Sequence, residues 1–581
     1  AGKTQRFNIY EANLDPMLRF GHIQDIQLAG WASVETNNCV EVDLTTHCTT
    51  EIFVPSWRDI KHESIEKIAP IVQASFDIET YSFDGSFPDP NEERCPCIQI
   101  ATTLQRYGDP EPYKKQLISL GTCDPIENVE VIECKTEKRL LETWGKLIRD
   151  EDVDVLIGYN IWGFDLQYMF KRAVRTDAKK FFELGRYIGK KSERKDASFS
   201  SGAYGDSDYE MVDTLGRFQI DLLVIMKREY KLRKYSLNFV AEHFLKDKKV
   251  DMPYKEMFKK YKGDSKDRHD VGVYCVKDAD LPLQLINKLA ILPNLIEMSK
   301  ATWVPLSFLI ERGQGIKVFS QICYTTRKAN MLVITPNKDI WTCSVCEQIN
   351  IKTTTMCKQC KQTKPEDEPY EGATVLIAMR GAYMDDPITG LDFASLYPTI
   401  MRAHNLCHST FVMSKLYDNL PNVEYAEFNG LKFVQDSEGI LPLMLRVLAE
   451  NRKKAKKEMA AAKSRGDSFM ESVYNGKQLA FKVSMNSIYG FCGAIVGFLP
   501  CKEVASTTTS IGRQMIEQTK NLAEEWYPGS VVVYGDTDSV MTKFNCGDLK
   551  GKDAIQKSFE LGEEAAARIS ATFKAPIELE F

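Results

Sequence analysis

Apolar and polar residues alternate in short runs along residues 1–70. Phe7-Asn-Ile-Tyr10, Gln27-Leu-Ala-Gly-Trp31 and Val40-Glu-Val-Asp-Leu44 predict a β-rich N-terminal segment. From residue 71 the apolar runs lengthen. Residues 71–80 and 153–160 read as buried strands, the second leading through Gly163 and Phe164 to Asp165 and a helical pattern over 166–172. Helical periodicity covers 274–278 and then 281–321, with Arg312-Gly-Gln-Gly-Ile-Lys317 read as closing that stretch. A short apolar run ends at Asp392, and two helical patterns over 445–490 are separated by Lys463-Ser-Arg-Gly-Asp467. After a helix over 509–525, Val531-Val-Val-Tyr-Gly-Asp-Thr-Asp-Ser-Val540 reads as a hairpin with two carboxylates at its tip. The whole predicts an α/β multidomain chain, too long at 581 residues for a single core.

The pattern places acids where acids are costly. Asp77 and Glu79, two apart on a strand, share one face of an apolar run, where a shared cation would offset the burial of charge. Tyr274 and Asp278 stand one turn apart on a helix. With Asp165 they make four carboxylates and a phenol, the set that two-metal phosphodiester hydrolysis needs, with two Mg²⁺ ions about 4 Å apart. Asp536 and Asp538, taken alone, are equally two solvated turn aspartates. In the second helical pattern of 445–490, Lys482, Asn486 and Tyr489 fall on one stripe. Arg446, Arg452, Lys453, Lys454, Lys456, Lys457 and Lys463 make 446–463 basic, ordinarily the sign of a solvated face.

Composition narrows the class. Charged residues are 27% and hydrophobic ones 43%, with no apolar run long enough for a bilayer and no secretory or transit pattern, so no membrane partner is expected. The sequence opens at Ala1 without methionine, which reads as processing or excision from something longer. Sixteen cysteines fit thiols and metal ligands in a reducing compartment better than disulfides. Four of them, Cys343, Cys346, Cys357 and Cys360, form two Cys-x-x-Cys knuckles whose spacing suits tetrahedral Zn²⁺, with redox dithiols the alternative. The net charge of −6 carries less information than its local distribution.

Phe76-Asp-Ile-Glu79, Gly158-Tyr-Asn-Ile-Trp-Gly-Phe-Asp165 and Tyr274-Cys-Val-Lys-Asp278 resemble the three exonuclease motifs of family B DNA polymerases. The stretch from Asp221-Leu-Leu to Lys227-Arg-Glu-Tyr-Lys-Leu-Arg-Lys-Tyr-Ser-Leu-Asn238 resembles the eukaryotic delta-type branch, as in eukaryotes or large DNA viruses replicating in them. That resemblance implies an RNase H-like 3′→5′ proofreading domain over 71–300, with Asp77, Glu79, Asp165 and Asp278 as Mg²⁺ ligands and Tyr274 positioning the water. Leu391-Asp-Phe-Ala-Ser-Leu-Tyr-Pro398 and Tyr534-Gly-Asp-Thr-Asp-Ser539 resemble the family's two palm motifs. By the same resemblance Asp392 and Asp538 hold two further Mg²⁺ ions, Asp536 supports them, and Tyr397 is the steric gate next to Ser395 and Leu396 in the nucleotide site. Arg452, Lys456, Lys482 and Asn486 would clamp the triphosphate of a dNTP, and Tyr489 would face the nascent base pair. Arg380-Gly-Ala-Tyr383 is matched, in altered order, to the family's Tyr-Gly-Gly/Ala region, with no role assigned.

The implied layout is an N-terminal segment to 70, the exonuclease domain to 300, a connector over 301–338 and a zinc-finger insertion over 339–364. Palm segments over 365–444 and 493–581 then flank two-helix fingers over 445–492. Trp-x-Cys-x2-Cys-x3-Asn-x6-Cys-x2-Cys resembles the Ran-binding type of zinc finger, which implies single-stranded RNA or ubiquitin as ligand. The sequence closes on Ala575-Pro-Ile-Glu-Leu-Glu-Phe581, after which family members continue into the rest of the palm and a thumb, so an incomplete palm, an absent thumb and possible completion by a second chain are expected. Implied partners are primer-template DNA, dNTPs and a sliding clamp or accessory subunits, in a nucleus or a viral replication compartment. Two other functions fit less of the sequence: an exonuclease without synthesis, and a non-catalytic replisome scaffold.

Overall fold

The computed structural model describes residues 14–201, 205–247, 252–333, 340–343, 345–346, 348–364, 370–384, 386–494 and 497–581. It divides into two units, one of residues 1–313 with 465–476 and the other of 314–464 with 477–581.

The first unit opens on a helix, α1 (Pro16–Gln24), where strands were expected. Asp15 caps it by accepting the Met17 N–H at 2.9 Å, and Pro16 supplies a ready-made first-turn φ. The strands that follow span two or three residues: 31–33 pairs with 61–63, and 40–41 with 52–53. Val40, Val42, Ile52 and Phe53 are exposed there, so the alternation has no core to extend it. Phe7 to Tyr10 lie outside the described residues.

The core of this unit is a mixed six-stranded sheet of β1 (Val72–Thr80), β2 (Cys97–Arg106), β3 (Lys114–Leu120), β4 (Glu130–Cys134), β5 (Val155–Gly158) and β6 (Phe218–Asp221), in the order β6-β5-β1-β2-β3-β4. β1 is buried nearly throughout, which explains its unbroken apolar run. On one face Phe76 packs 5.0 Å from Trp144 of α2 (Glu137–Asp150). A buried ion pair ties α2 to α3 (Asp165–Arg175): Arg172 meets Glu137 at 2.6 Å and also donates to the carbonyls of Pro90 and Glu92. α4 (Leu222–Glu229) follows β6 directly. The other face of β1 is covered by α5 (Ser265–Lys288), whose Cys275 Sγ donates to the Asp77 carbonyl at 3.5 Å.

Where the chain passes into the second unit, the segment 312–317 closes one helix, as expected, and also opens the next: the Arg312 N–H donates to the Phe308 carbonyl at the end of the helix Leu306–Glu311. Arg312 is extended, and α6 (Gln314–Lys328) begins two residues later. β7 (Ile340–Thr342) and β8 (Ile349–Ile351) form a small hairpin. The main sheet is antiparallel, in the order β9-β11-β12-β10-β13, built from β9 (Val375–Leu376), β10 (Thr389–Phe393), β11 (Val531–Asp536), β12 (Ser539–Lys543) and β13 (Leu579–Glu580). α10 (Lys502–Trp526) and α11 (Gly551–Ser570) pack on it, α7 (Leu396–Ala403) packs against α8 (Ile440–Ser464) and α10, and α8 and α9 (Ser468–Gly493) are the two long helices that periodicity predicts. Their turn uses Gly466 at φ +71°, and Asp467 caps α9 by accepting the Met470 N–H.

Candidate active sites and a candidate metal centre

In the first unit β1 presents Asp77 and Glu79 on one face. Their carboxylate oxygens and Cys275 Sγ all lie within 4.8 Å of one another. Asp165, at the first turn of α3, turns back to this strand: its Oδ1 accepts the N–H of Ile78 at 3.3 Å. Asp165 and Asp278 are buried, and burial pushes the Asp165 carboxyl up to about 8, helped by the charges of Asp221 and Asp278. Tyr274 sits half-buried one turn before Asp278, beside Tyr81, Met257 and Phe258. So many enclosed acids fit hard divalent cations, which would relieve the cost of holding them together. The Cys275 thiol is driven well above its ordinary range by burial and then by Asp77 and Glu79, so it stays protonated.

Two supporting groups stand in motifs already quoted, without a role assigned to either from the sequence. Asp221 closes β6 and caps α4, and it also accepts the N–H groups of Asn160 (2.9 Å) and Trp162 (3.1 Å), clamping the loop that delivers Asp165. Gly158 is forced by crowding: a Cβ there would stand 2.3 Å from Ile161 Cγ2 and 3.0 Å from the Phe76 carbonyl.

In the second unit the hairpin β11–β12 turns at Thr537, with φ +53°. Asp536 is held by its own hairpin, accepting from Thr537 Oγ1 at 2.9 Å and Tyr534 Oη at 3.4 Å. Asp538 lies against β10 instead: the Phe393 N–H donates to its carbonyl at 2.8 Å, and Ser539 is opposite Asp392. Partial desolvation first, then Asp538 and Glu580, raise the Asp392 carboxyl, while Lys482 opposes them. Glu580 stands opposite Asp392 on β13, a third carboxylate whose place depends on strand pairing. This donor set also fits hard cations.

Beside these acids Ser395 adopts a left-handed conformation, φ 54°, at the start of α7, an unusual geometry for a residue with a Cβ. Tyr397 follows, its ring 4.4 Å from that of Tyr489 on α9. Tyr489 Oη is 3.0 Å from Tyr370 Oη, so the third tyrosine of the cluster is Tyr370. Tyr383 lies in an exposed stretch and donates to the Met379 carbonyl. Lys482 and Asn486 are exposed on the same helix as Tyr489. On α8 Lys456 is exposed and Arg452 half-buried, its Nε 3.4 Å from Gln478 Oε1. Arg446, counted in the basic run, is neutralised by Glu438 at 2.9 Å.

The four knuckle cysteines come together. Cys343 and Cys360 Sγ are 3.4 Å apart, Cys346 and Cys357 Sγ 3.5 Å, and all four fall within 4.8 Å. A tetrahedron of sulfurs about 2.3 Å from zinc has edges of about 3.8 Å, so the set fits that ion. At each knuckle backbone N–H groups favour one thiolate: those of Cys346 and Val345 lower Cys343, and against burial those of Cys360 and Gln359 bring Cys357 to about 6. Although a backbone N–H lowers each, desolvation and the neighbouring thiols raise Cys346 and Cys360. Asn350 is buried and bridges the two knuckles, accepting the Lys358 N–H and donating to the Gln348 carbonyl. Trp341 Nε1 donates to the Thr354 carbonyl at 3.1 Å.

The model described as DNA polymerase family B matches residues 304–581, and the one for that family's exonuclease domain matches 7–240. The chain belongs to DNA polymerase family B. It is 38% identical over 593 residues to a DNA polymerase of Paramecium bursaria Chlorella virus NY2A, covering 99% of this chain and 62% of that protein. The DNA polymerase delta catalytic subunit of Arabidopsis thaliana is 40% identical, covering 99% and 51%, and that of Schizosaccharomyces pombe 39%, covering 98% and 51%. The chain thus spans about half the length of the delta subunits it matches. Asp77, Glu79 and Asp165 fall within the residues matched to the exonuclease-domain model, and Asp392, Asp536 and Asp538 within those matched to the polymerase model. The four-cysteine cluster lies between β7 and β9, within the span matched to the polymerase model.

Proposed function

We propose that this chain carries out template-directed DNA synthesis from dNTPs in its second unit and 3′→5′ exonucleolytic proofreading in its first. The observation that carries this reading is the approach of β10 to the hairpin tip, where Asp392 stands opposite Ser539 and the Phe393 N–H donates to the Asp538 carbonyl, beside the rings of Tyr397 and Tyr489, 4.4 Å apart. Asp392 and Asp538 would hold divalent cations in one site, with Asp536 in support, and Asp77, Glu79, Asp165 and Asp278 in the other. When bound, Mg²⁺ supplies Lewis acidity, lowering the pKa of a primer 3′-hydroxyl in one site and of water in the other. The chain's own residues do the rest. Arg452, Lys456, Lys482 and Asn486 meet the triphosphate, near Ser395 and Leu396, and stabilise charge gathering on it. Tyr397 bars a 2′-hydroxyl, Tyr489 reads base-pair shape, and Tyr274 orients the attacking water.

Zinc in the Cys343, Cys346, Cys357 and Cys360 cluster would hold the 339–364 insertion together, since so short a segment buries no core of its own. The layout of exonuclease domain (71–300), palm (365–444 and 493–581) and fingers (445–492) belongs to the same reading. So do a clamp or accessory subunits as partners and a nuclear or viral replication compartment as location. One observation favours exonuclease activity alone: Asp165, Asp278 and Glu79 are buried in place, whereas Asp392 is exposed. The assay that decides uses a labelled primer-template with Mg²⁺. Extension with dNTPs and 3′ shortening without them are expected; shortening without any extension would leave the exonuclease reading alone.

A further inference from the structure

β1 sets Gln73, Ser75, Asp77 and Glu79 on one face, two residues apart. Gln73 and Ser75 are wholly enclosed, and neither amide atom of Gln73 nor Ser75 Oγ has a hydrogen-bond partner among the described residues. Their cross-strand neighbours on β2 are already committed. Gln105, opposite Gln73, accepts from Asn287 Nδ2 at 2.9 Å and donates to the Asp109 carbonyl at 2.7 Å. Thr103, opposite Ser75, donates its hydroxyl to Asp280. Protein interiors satisfy such stranded polar atoms with ordered water.

The position of these atoms gives that water a destination. The same strand face continues to Asp77 and Glu79, and it ends on the other side near Asn287, which is exposed. Side chains two residues apart on a strand stand about 6.7 Å apart, more than one hydrogen bond of about 2.8 Å can span, so water is needed to link the steps. Val155 and Ile157 of β5, paired with Gln73 and Ser75, are buried apolar residues that wall the row without competing for its hydrogen bonds.

We infer that a file of water runs between β1 and α5, from the Gln105–Asn287 end past Gln73 and Ser75 to the Asp77–Glu79 acids, and supplies the water consumed there. This rests on the exonuclease reading above. Each excision consumes one water: its oxygen bonds to phosphorus while the bond from phosphorus to the 3′-oxygen breaks. That oxygen keeps the electron pair and takes one proton, and the other leaves with the released nucleotide or to solvent. A supply from behind keeps water available while a DNA end covers the front. Gln73 and Ser75 are positioning residues in this scheme.

The test combines solvent-resolving crystallography of the whole chain with exonuclease kinetics on a single-stranded oligonucleotide. Ordered water within hydrogen-bond reach of the Gln73 amide and Ser75 Oγ is expected. Gln73→Leu should lower exonuclease kcat about tenfold, leaving KM and primer extension unchanged. Ser75→Ala gives the same readout should the leucine variant not fold. Wild-type kcat in both variants, or no solvent density at Gln73, overturns the inference. Equal loss of exonuclease and extension overturns it too, because that marks general packing damage. If the wild-type protein degrades no DNA, the exonuclease reading fails, and the solvent density alone decides whether the file exists.

Discussion

Asp221 binds together two stretches that are distant in sequence, since its carboxylate accepts N–H groups 61 and 59 residues away as well as the Leu223 amide of its own helix. Removing it leaves buried amides unsatisfied, so Asp221→Ala should cost about 3 kcal/mol. A lower thermal midpoint for the first unit, with exonuclease activity lost and extension kept, is the outcome to look for by calorimetry and assay. His404 gives a pH test in the other unit. Burial, then Lys574, lower its pKa to about 4 from an ordinary 6.5. Between those values the unfolded chain binds the proton and the folded one does not, so stability falls as pH drops from 6.5 towards 4. Allowing for partial exposure, the loss is about 2 kcal/mol, and His404→Gln should remove that slope in urea titrations across the range. Asp77, Glu79 and Asp278 were legible in the sequence because strand and helix periods alone put them on defined faces. The roles of Asp221, Glu580 and Tyr370 were not, because each acts through a contact that exists only once strands pair or helices pack.

At the scale of elements, strands and helices with a buried face were legible and the rest were not. β1, β5 and the β11–β12 hairpin stand where their apolar runs put them, as do α8 and α9. The N-terminal alternation yields strands of only two or three residues because its apolar side chains stay exposed, and residues 312–317 close one helix and open another because the extended Arg312 interrupts the turn between them. Packing also sets the tolerance of the loop between β5 and α3. Gly158→Ala must displace Ile161 or the β1 carbonyl beside Asp77, so exonuclease activity should fall more than about tenfold while extension survives. Unchanged exonuclease rates in that variant would show that the loop yields freely. For the β7–β8 insertion, one zinc per chain is expected by elemental analysis, falling to near zero in Cys357→Ser, with the thermal unfolding of both main units unmoved.

At the scale of the whole molecule, each of the two proposed sites is assembled within one unit from its own sheet. Net charge says little about this, because a chain of −6 still carries Arg452, Lys456 and Lys482 where a triphosphate would be bound. The most direct measurement compares primer extension and single-strand degradation in Asp392→Asn and Asp77→Ala. Asp392→Asn should lower extension by more than about a thousandfold and leave degradation intact, and Asp77→Ala should do the reverse. Loss of both activities together in either variant would contradict the two-site account.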